Sequence, residues 1–206
     1  MDLARRMRDV YDRHAAEYAM ETGSYEGFPG LRDEVDRFYA EALGKGPLLD
    51  LGCGAGRDTE YLIAHNRDVV AGDLSTEMLN VTRARCNDLM LVVQFDLRAL
   101  PFREDVFAGI WASASLLHIP SSDMFGALTE LYRTLRPGGA VAISMKEGEG
   151  EGWHSGKSHP DRRWFTFVWP EAFVQQMASA GFVRARSTSS GRRNWFITEG
   201  QKPTRK

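Results

Sequence analysis

The sequence predicts an α/β fold, a doubly wound and mostly parallel sheet with an antiparallel last strand. Three observations carry that expectation. After residue 47 short apolar runs alternate with amphipathic stretches, which is the rhythm of strands joined by crossover helices. The first run ends in a loop with glycine at every second position, Gly52, Gly54 and Gly56. The final two runs, 182–188 and 194–198, are separated only by Ser189-Ser-Gly-Arg-Arg193. That gap cannot hold a crossover helix, so the pair is expected to be antiparallel.

The elements follow in order. Over residues 3–20, Leu3, Met7, Val10, Tyr11, His14 and Tyr18 recur at spacings of three and four, the period of one helix face. The glycines and Pro29 of segment 23–30 break that run, and a second amphipathic piece covers about 31–43. Five buried strands are expected at 48–51, 68–72, 91–95, 106–111 and 140–145. Ser75 is placed to cap a helix whose face carries Met78, Leu79 and Thr82. Ser121 or Ser122 is placed to cap another, with Met124, Leu128, Leu131 and Leu135 on one face, ending at Arg136-Pro-Gly-Gly139. Pro170 suits the first position of a last helix bearing Phe173, Val174 and Met177 and stopped by Gly181. The stretch 146–169 reads as a long connection, and 201–206 as a frayed polar tail.

Composition narrows the class. With 206 residues, 43% hydrophobic and 26% charged, the chain suits one globular domain. A formal net charge of −2 argues against nucleic acid or an anionic membrane as partner. Residues 183–206 hold seven Lys and Arg against Glu199 alone; a solvated edge and tail is the expectation there. No apolar run approaches the length of a membrane span, and the first residues lack the apolar block of a secretory signal. Cys53 and Cys86 are too few for a disulfide framework, and His154 and His159 have no partners at zinc-site spacing, so no metal is expected. A cytoplasmic protein, monomer or homodimer, is the resulting expectation.

The loop is the most informative segment. Glycine serves where the backbone turns with positive φ or a ligand lies against the main chain. A dinucleotide fingerprint needs glycine where Arg57 stands, and the Gly-Lys-Ser/Thr of a phosphate loop is absent. What stands is G-x-G-x-G preceded by Asp50. This resembles motif I of the class I S-adenosylmethionine-dependent methyltransferases, of the small, single-domain, small-molecule type. Val69-Val-Ala-Gly-Asp73, Gln94-Phe-Asp96-Leu97, Leu135-Arg-Pro-Gly-Gly139 and Ala180-Gly-Phe182 keep to the same pattern, as does Tyr11-Asp-Arg-His-Ala-Ala-Glu-Tyr18-Ala. The likeness extends over about residues 10 to 198.

The resemblance implies a Rossmann-like methyltransferase fold with seven strands and the N-terminal helices as a lid. It divides the single domain 1–206 into a helical lid (1–44), a cofactor-binding core (45–145), a substrate-side insertion (146–169), a last helix with terminal hairpin (170–199) and a tail (200–206). S-adenosyl-L-methionine is the implied cofactor and S-adenosyl-L-homocysteine the product. Asp73 would bind the ribose hydroxyls, with Leu74 beside it, and a carboxylate is a natural bidentate acceptor for a vicinal diol. Asp96, Leu97 and Met78 would meet the adenine. Gly52, Cys53, Gly54, Gly56 and Ala112 would line the remainder, and Tyr11 and Tyr18, two helical turns apart, would close over it unless they serve only as core. Asp50 either contacts the cofactor or only ties down the loop.

A small-molecule acceptor is expected, methylated at O, N or S by in-line displacement. His118, following the fourth strand on the ligand side, is the candidate base, and a structural histidine is the alternative. In the 146–169 connection, Lys146, Trp153, His154 and Arg163 are candidate substrate contacts, unless its aromatics merely anchor a solvated loop. Two other classes stay open: a binding module that holds the nucleoside without chemistry, and a nicotinamide-dependent oxidoreductase, which Arg57 and the terminal hairpin disfavour.

Overall fold

The computed structural model describes residues 2–42, 46–65, 68–87, 91–155 and 161–205. Three helices come first: α1 (Leu3–Arg13), α2 (Ala15–Thr22) and α3 (Leu31–Glu41). The single helix expected over 3–20 is therefore two. The break falls at His14, whose ring nitrogens are held by Glu17 at 3.0 Å and Asp161 at 2.9 Å. The expected helix over 31–43 ends at Glu41, and Leu43 lies outside the described residues.

The core then runs β1 (Leu48–Leu51), α4 (Arg57–Ala64), β2 (Val69–Asp73), α5 (Thr76–Arg85), β3 (Leu91–Gln94), β4 (Phe107–Ser113), α6 (Ser121–Thr134) and β5 (Leu135–Lys146). A hairpin, β6 (Glu151–Ser155) and β7 (Arg162–Thr166), precedes α7 (Pro170–Ser179), β8 (Val183–Ser189) and β9 (Trp195–Gln201). The main sheet has seven strands in the order β3-β2-β1-β4-β5-β9-β8. Pairs among β1 to β5 are parallel, and β9 is antiparallel to both β5 and β8. The order reverses between β1 and β4, and the crevice beyond their carboxyl ends is the ligand position of doubly wound sheets.

Both sheet faces are covered, as a parallel sheet requires. Along β5, Val141, Ile143 and Met145 point into one cluster with Leu128, Leu131 and Phe173 of α6 and α7. Ala140 and Ala142 point into the other, with Phe38, Leu62 and Trp111. This alternation follows from the two-residue period of a strand.

Four expectations need correction. Arg136-Pro-Gly-Gly139 is no loop: it lies within β5, because the terminal segment keeps pairing with it through Gly138 N to Lys202 O at 2.8 Å and Lys202 N to Gly139 O at 3.0 Å. The tail is accordingly docked, with Lys202 Nζ on Asp105 at 2.8 Å and Arg205 on the same carboxylate; Lys206 lies outside the described residues. No serine caps α6. Pro120 is its N-cap residue, and the Glu151 carboxylate accepts from Ser121 N at 2.6 Å instead. The connection 146–169 contains the β6–β7 hairpin, clamped by Thr166 Oγ1 donating to Ile119 O at 2.6 Å. Ser75 does cap α5, accepting from Met78 N at 3.1 Å.

Candidate functional site

The glycine loop turns where β1 meets α4. Gly52 has φ +75°, and a Cβ there would lie 2.5 Å from Ser115 Cβ. Gly54 has φ +54°, and a Cβ there would lie 3.4 Å from the Tyr18 ring. The positive φ favours glycine at both positions, and at Gly52 space requires it as well. Gly52 N and Cys53 N both donate to Gly72 O, at 2.7 and 3.0 Å, pinning the loop to the end of β2.

Asp73 ends β2 beside this loop. Its carboxylate accepts from Gly54 N at 3.0 Å and from Ser75 N at 2.9 Å. The sequence reading left this side chain free; in the structure it also braces the loop. Two bonds leave a carboxylate with acceptor capacity to spare. Burial pushes its pKa up against those hydrogen bonds.

Two adjoining chambers open at the carboxyl edge. The smaller, about 100 Å³, is lined by Asp73, Leu74, Met78, Asp96, Leu97 and Ser115, with Leu3 and Met7 of α1 across it. The larger, about 570 Å³, is lined by Asp50, Cys53, Arg57, Lys146, Arg163 and Arg192, with Phe28, Phe165 and Trp195 as its aromatic wall. Tyr11, Tyr18, Gly52, Gly54, Ser113, Ala114 and His118 face both chambers and mark their junction.

Asp96 does not stand alone. Arg98 Nη2 holds it at 2.6 Å, and Arg98 Nη1 reaches Asp123 at 2.9 Å. Burial would raise the Asp96 pKa, but the Arg98 hydrogen bonds hold it below the usual carboxylate range. Asp50 is buried behind the loop and accepts from Thr59 Oγ1 at 2.5 Å. Burial, with the Asp58 charge nearby, pushes it up to about 7. Burial also raises the Cys53 thiol well above its ordinary value, so a resting nucleophile is not formed there.

His118 follows β4 in a single turn of 3-10 helix, Leu116–His118. Its Nδ1 lies 2.6 Å from Trp164 O and its Nε2 2.7 Å from Tyr11 Oη. A carbonyl can only accept, so Nδ1 carries the proton, Nε2 accepts, and Tyr11 donates. Burial holds the imidazole down to about 3, against a contribution from Trp164. Tyr11 also accepts from Arg163 Nη1 at 3.3 Å. Burial raises its phenol pKa as well, so the hydroxyl stays protonated.

Several sequence candidates stand apart from the cavity lining. Gly56 starts α4 and faces Thr82. Ala112 is fully buried in the core, while Ser113 to Ser115 do the lining. Trp153 carries the Arg6 guanidinium 3.8 Å above its ring, and His154 packs edge-on to Phe165 and Phe167, so both brace the hairpin. His159 lies outside the described residues.

Other lining residues escaped the sequence reading. Arg57 pairs with Asp58 at 2.8 Å, and Asp58 also accepts from Tyr25 and Trp111, each at 2.9 Å. Arg192, expected on a solvated edge, instead pairs with Glu34 at 2.9 Å with both side chains nearly covered. Arg57 was visible beside the loop, whereas nothing local marks Arg192. Among the described residues no group of three or more His, Cys, Asp or Glu is arranged to hold a metal ion. Nor is any described helix long and apolar enough to cross a membrane.

A strand, a G-x-G-x-G loop, a helix and a half-buried acid ending the second strand are the parts of a nucleoside-binding α/β domain. Comparison with known proteins narrows this. A family model described as "Methyltransferase domain" matches residues 48–139. Methyltransferase GfsG of Streptomyces halstedii is 38% identical over 103 residues, covering 47% of this chain and 36% of that protein. Malonyl-[acyl-carrier protein] O-methyltransferase of Salmonella typhimurium is 33% identical over 135 residues, covering 63% and 52% respectively. A solved DhpI–SAH complex superposes with a TM-score of 0.77 at 19% identity, over 98% of each chain. The chain spans from about a third to about half the length of these two curated relatives. The matched segment 48–139 and these relatives support a class I S-adenosylmethionine-dependent methyltransferase.

Proposed function

We propose that this protein transfers a methyl group from S-adenosyl-L-methionine to a small-molecule O, N or S acceptor. The observation that carries the reading is the half-buried Asp73 carboxylate, held by the loop and the start of α5 yet facing the smaller chamber. The cavity fits such a cofactor. Gly52 and Gly54 leave the main chain bare, Asp73 can still accept from a diol, and Ser115 Oγ is buried without a partner in the smaller chamber.

Asp73 would hold the ribose, with Leu74 beside it, while Met78, Asp96 and Leu97 would enclose the base. The junction between the chambers would receive the sulfonium. When bound, the cofactor supplies a methyl group on cationic sulfur, and the electron pair of the broken S–CH3 bond returns to sulfur as an acceptor lone pair takes the methyl.

The chain's own task is alignment in a dry cleft. Residues 1–44 would roof the cleft as a lid, 45–145 would bind the cofactor, and 146–169 would face the acceptor. Tyr11 is locked between His118 and Arg163, which fixes α1 over the junction. His118 would position that roof; with Nε2 occupied and its basicity lowered by burial, it is poorly suited to take a proton from substrate. The reading then favours an acceptor that arrives already nucleophilic. The relatives named above support the class without fixing the acceptor.

Calorimetry with S-adenosylhomocysteine and NADH tests the cofactor, with binding of the first alone expected. Tritiated methyl transfer into a fractionated extract tests the acceptor. Label confined to protein or RNA would refute the small-molecule reading, and nucleoside binding without transfer would favour the binding module.

A further inference from the structure

The larger chamber holds four cationic side chains, and their pairing is unequal. Arg57 is matched by Asp58 at 2.8 Å and Arg192 by Glu34 at 2.9 Å. Lys146 lies over the rings of Phe165 and Trp195, 4.8 and 5.4 Å from their centroids. Arg163, on β7, has no carboxylate within ion-pair distance among the described residues. Its Nη1 donates to Tyr11 and its guanidinium lies 5.4 Å from the Phe165 ring centroid, while its buried Nε has no hydrogen-bond partner among the described residues.

The acids lining this chamber are otherwise placed. Asp58 is taken up by Arg57, Tyr25 and Trp111, and Asp50 sits behind the loop on Thr59. Glu21 lies at the exposed rim with no ion pair to Arg163. A buried guanidinium donor without a partner is costly, and a cation that no carboxylate neutralises favours an anion entering the chamber. The Nε and Nη2 edge of an arginine is a planar fork that matches the two oxygens of a carboxylate. The aromatic wall can take the apolar body to which such a group is attached.

We propose that Arg163 is the acceptor-recognising residue of this site and that its guanidinium binds a carboxylate of the acceptor. The proposal rests on the methyl-transfer reading for the word acceptor, and on the chamber alone for the carboxylate.

The test is calorimetry on the full chain saturated with S-adenosylhomocysteine, titrated with benzoate, phenylacetate and the amides of both. At least one acid should bind tenfold or more tightly than its amide. Arg163→Met should remove that preference, and Arg163→Lys, which keeps charge but loses the fork, should restore only part of it. Acids and amides behaving alike, including neither binding, would overturn the proposal. So would acid binding that survives Arg163→Met unchanged. A tenfold loss of S-adenosylhomocysteine affinity in Arg163→Met would overturn it differently, by assigning the fork to the amino-acid carboxylate of the cofactor. If Arg163→Met fails to fold, a threefold weaker acid affinity in Arg163→Lys is the required result, and an unchanged affinity refutes the assignment. Should wild type not bind S-adenosylhomocysteine, the methyl-transfer reading fails, and the same titration of unloaded protein still decides the role of Arg163.

Discussion

Tyr11, on the first helix, donates its hydroxyl to Nε2 of His118, more than a hundred residues away, at 2.7 Å. The other ring nitrogen is fixed on Trp164 O, and Arg163 donates to the same tyrosine hydroxyl. One hydrogen-bonded line therefore joins α1, the turn after β4 and the β6–β7 hairpin across the top of the cleft. A side chain held at both nitrogens orients its neighbours, and it has no lone pair left for a substrate.

Tyr11→Phe tests that line. It keeps the ring and deletes the hydroxyl, leaving Nε2 of His118 without its donor. The cost of an unsatisfied buried acceptor is about 1–3 kcal/mol. For a domain of this size each kcal/mol lowers Tm by roughly 2–4 °C. Scanning calorimetry should register that loss, and a melting curve identical to wild type would mean that the hydroxyl carries no net stabilisation.

Asp73→Ala should weaken S-adenosylhomocysteine binding by about tenfold to a hundredfold, since hydrogen bonds to a charged group are worth about 1.5–3 kcal/mol. The variant also frees Gly54 N and Ser75 N, so Asp73→Asn is the cleaner companion. It retains one acceptor oxygen and should fall between the two. Equal affinity in all three proteins would remove Asp73 from the cofactor site.

Much of this was legible in the chain because it is written locally. The short apolar runs of β1, β2 and β4 are buried throughout or nearly so, and Ser75 caps the helix it precedes. What escaped depends on contacts between distant segments. The break at His14 needs Asp161, and the continuation of β5 through Pro137 needs Lys202. In the site, the loop glycines were readable from spacing, and Asp73 was singled out by the family resemblance. The Arg192–Glu34 pair and the Tyr11–His118 bond join residues more than a hundred positions apart, and no local pattern encodes them.

The protonation state of His118 gives a third test. Burial holds its pKa down to about 3, whereas an unfolded histidine titrates near 6.5. Between those values the unfolded chain binds the extra proton, so His118 removes stability as pH falls from about 6.5 towards 3. In the folded protein the ring is neutral throughout the working range. Its NMR resonances should therefore show no titration between pH 5 and 8, and kcat/KM should show no inflection belonging to it. A histidine signal assigned to residue 118 and titrating near 6.5 would restore it as a candidate base.

Asp50 should act in the opposite direction. Burial, with the nearby Asp58 charge, raises it from 3.8 to about 7, and Thr59 supplies a hydrogen bond that only partly offsets this. Below pH 4 the carboxyl is neutral in both states and costs nothing. Between about pH 4 and 7 the unfolded chain loses the proton first, so stability falls as pH rises, and above 7 the full cost of a buried charge is in place. Asp50→Asn cannot ionise but can still accept from Thr59. The ligand-free variant should differ least from wild type near pH 4 and exceed it increasingly up to pH 8. Denaturant unfolding at pH 4.5, 6 and 8 measures the difference directly. Parallel stability curves for the two proteins would place the Asp50 charge in a far better compensated environment than its burial implies.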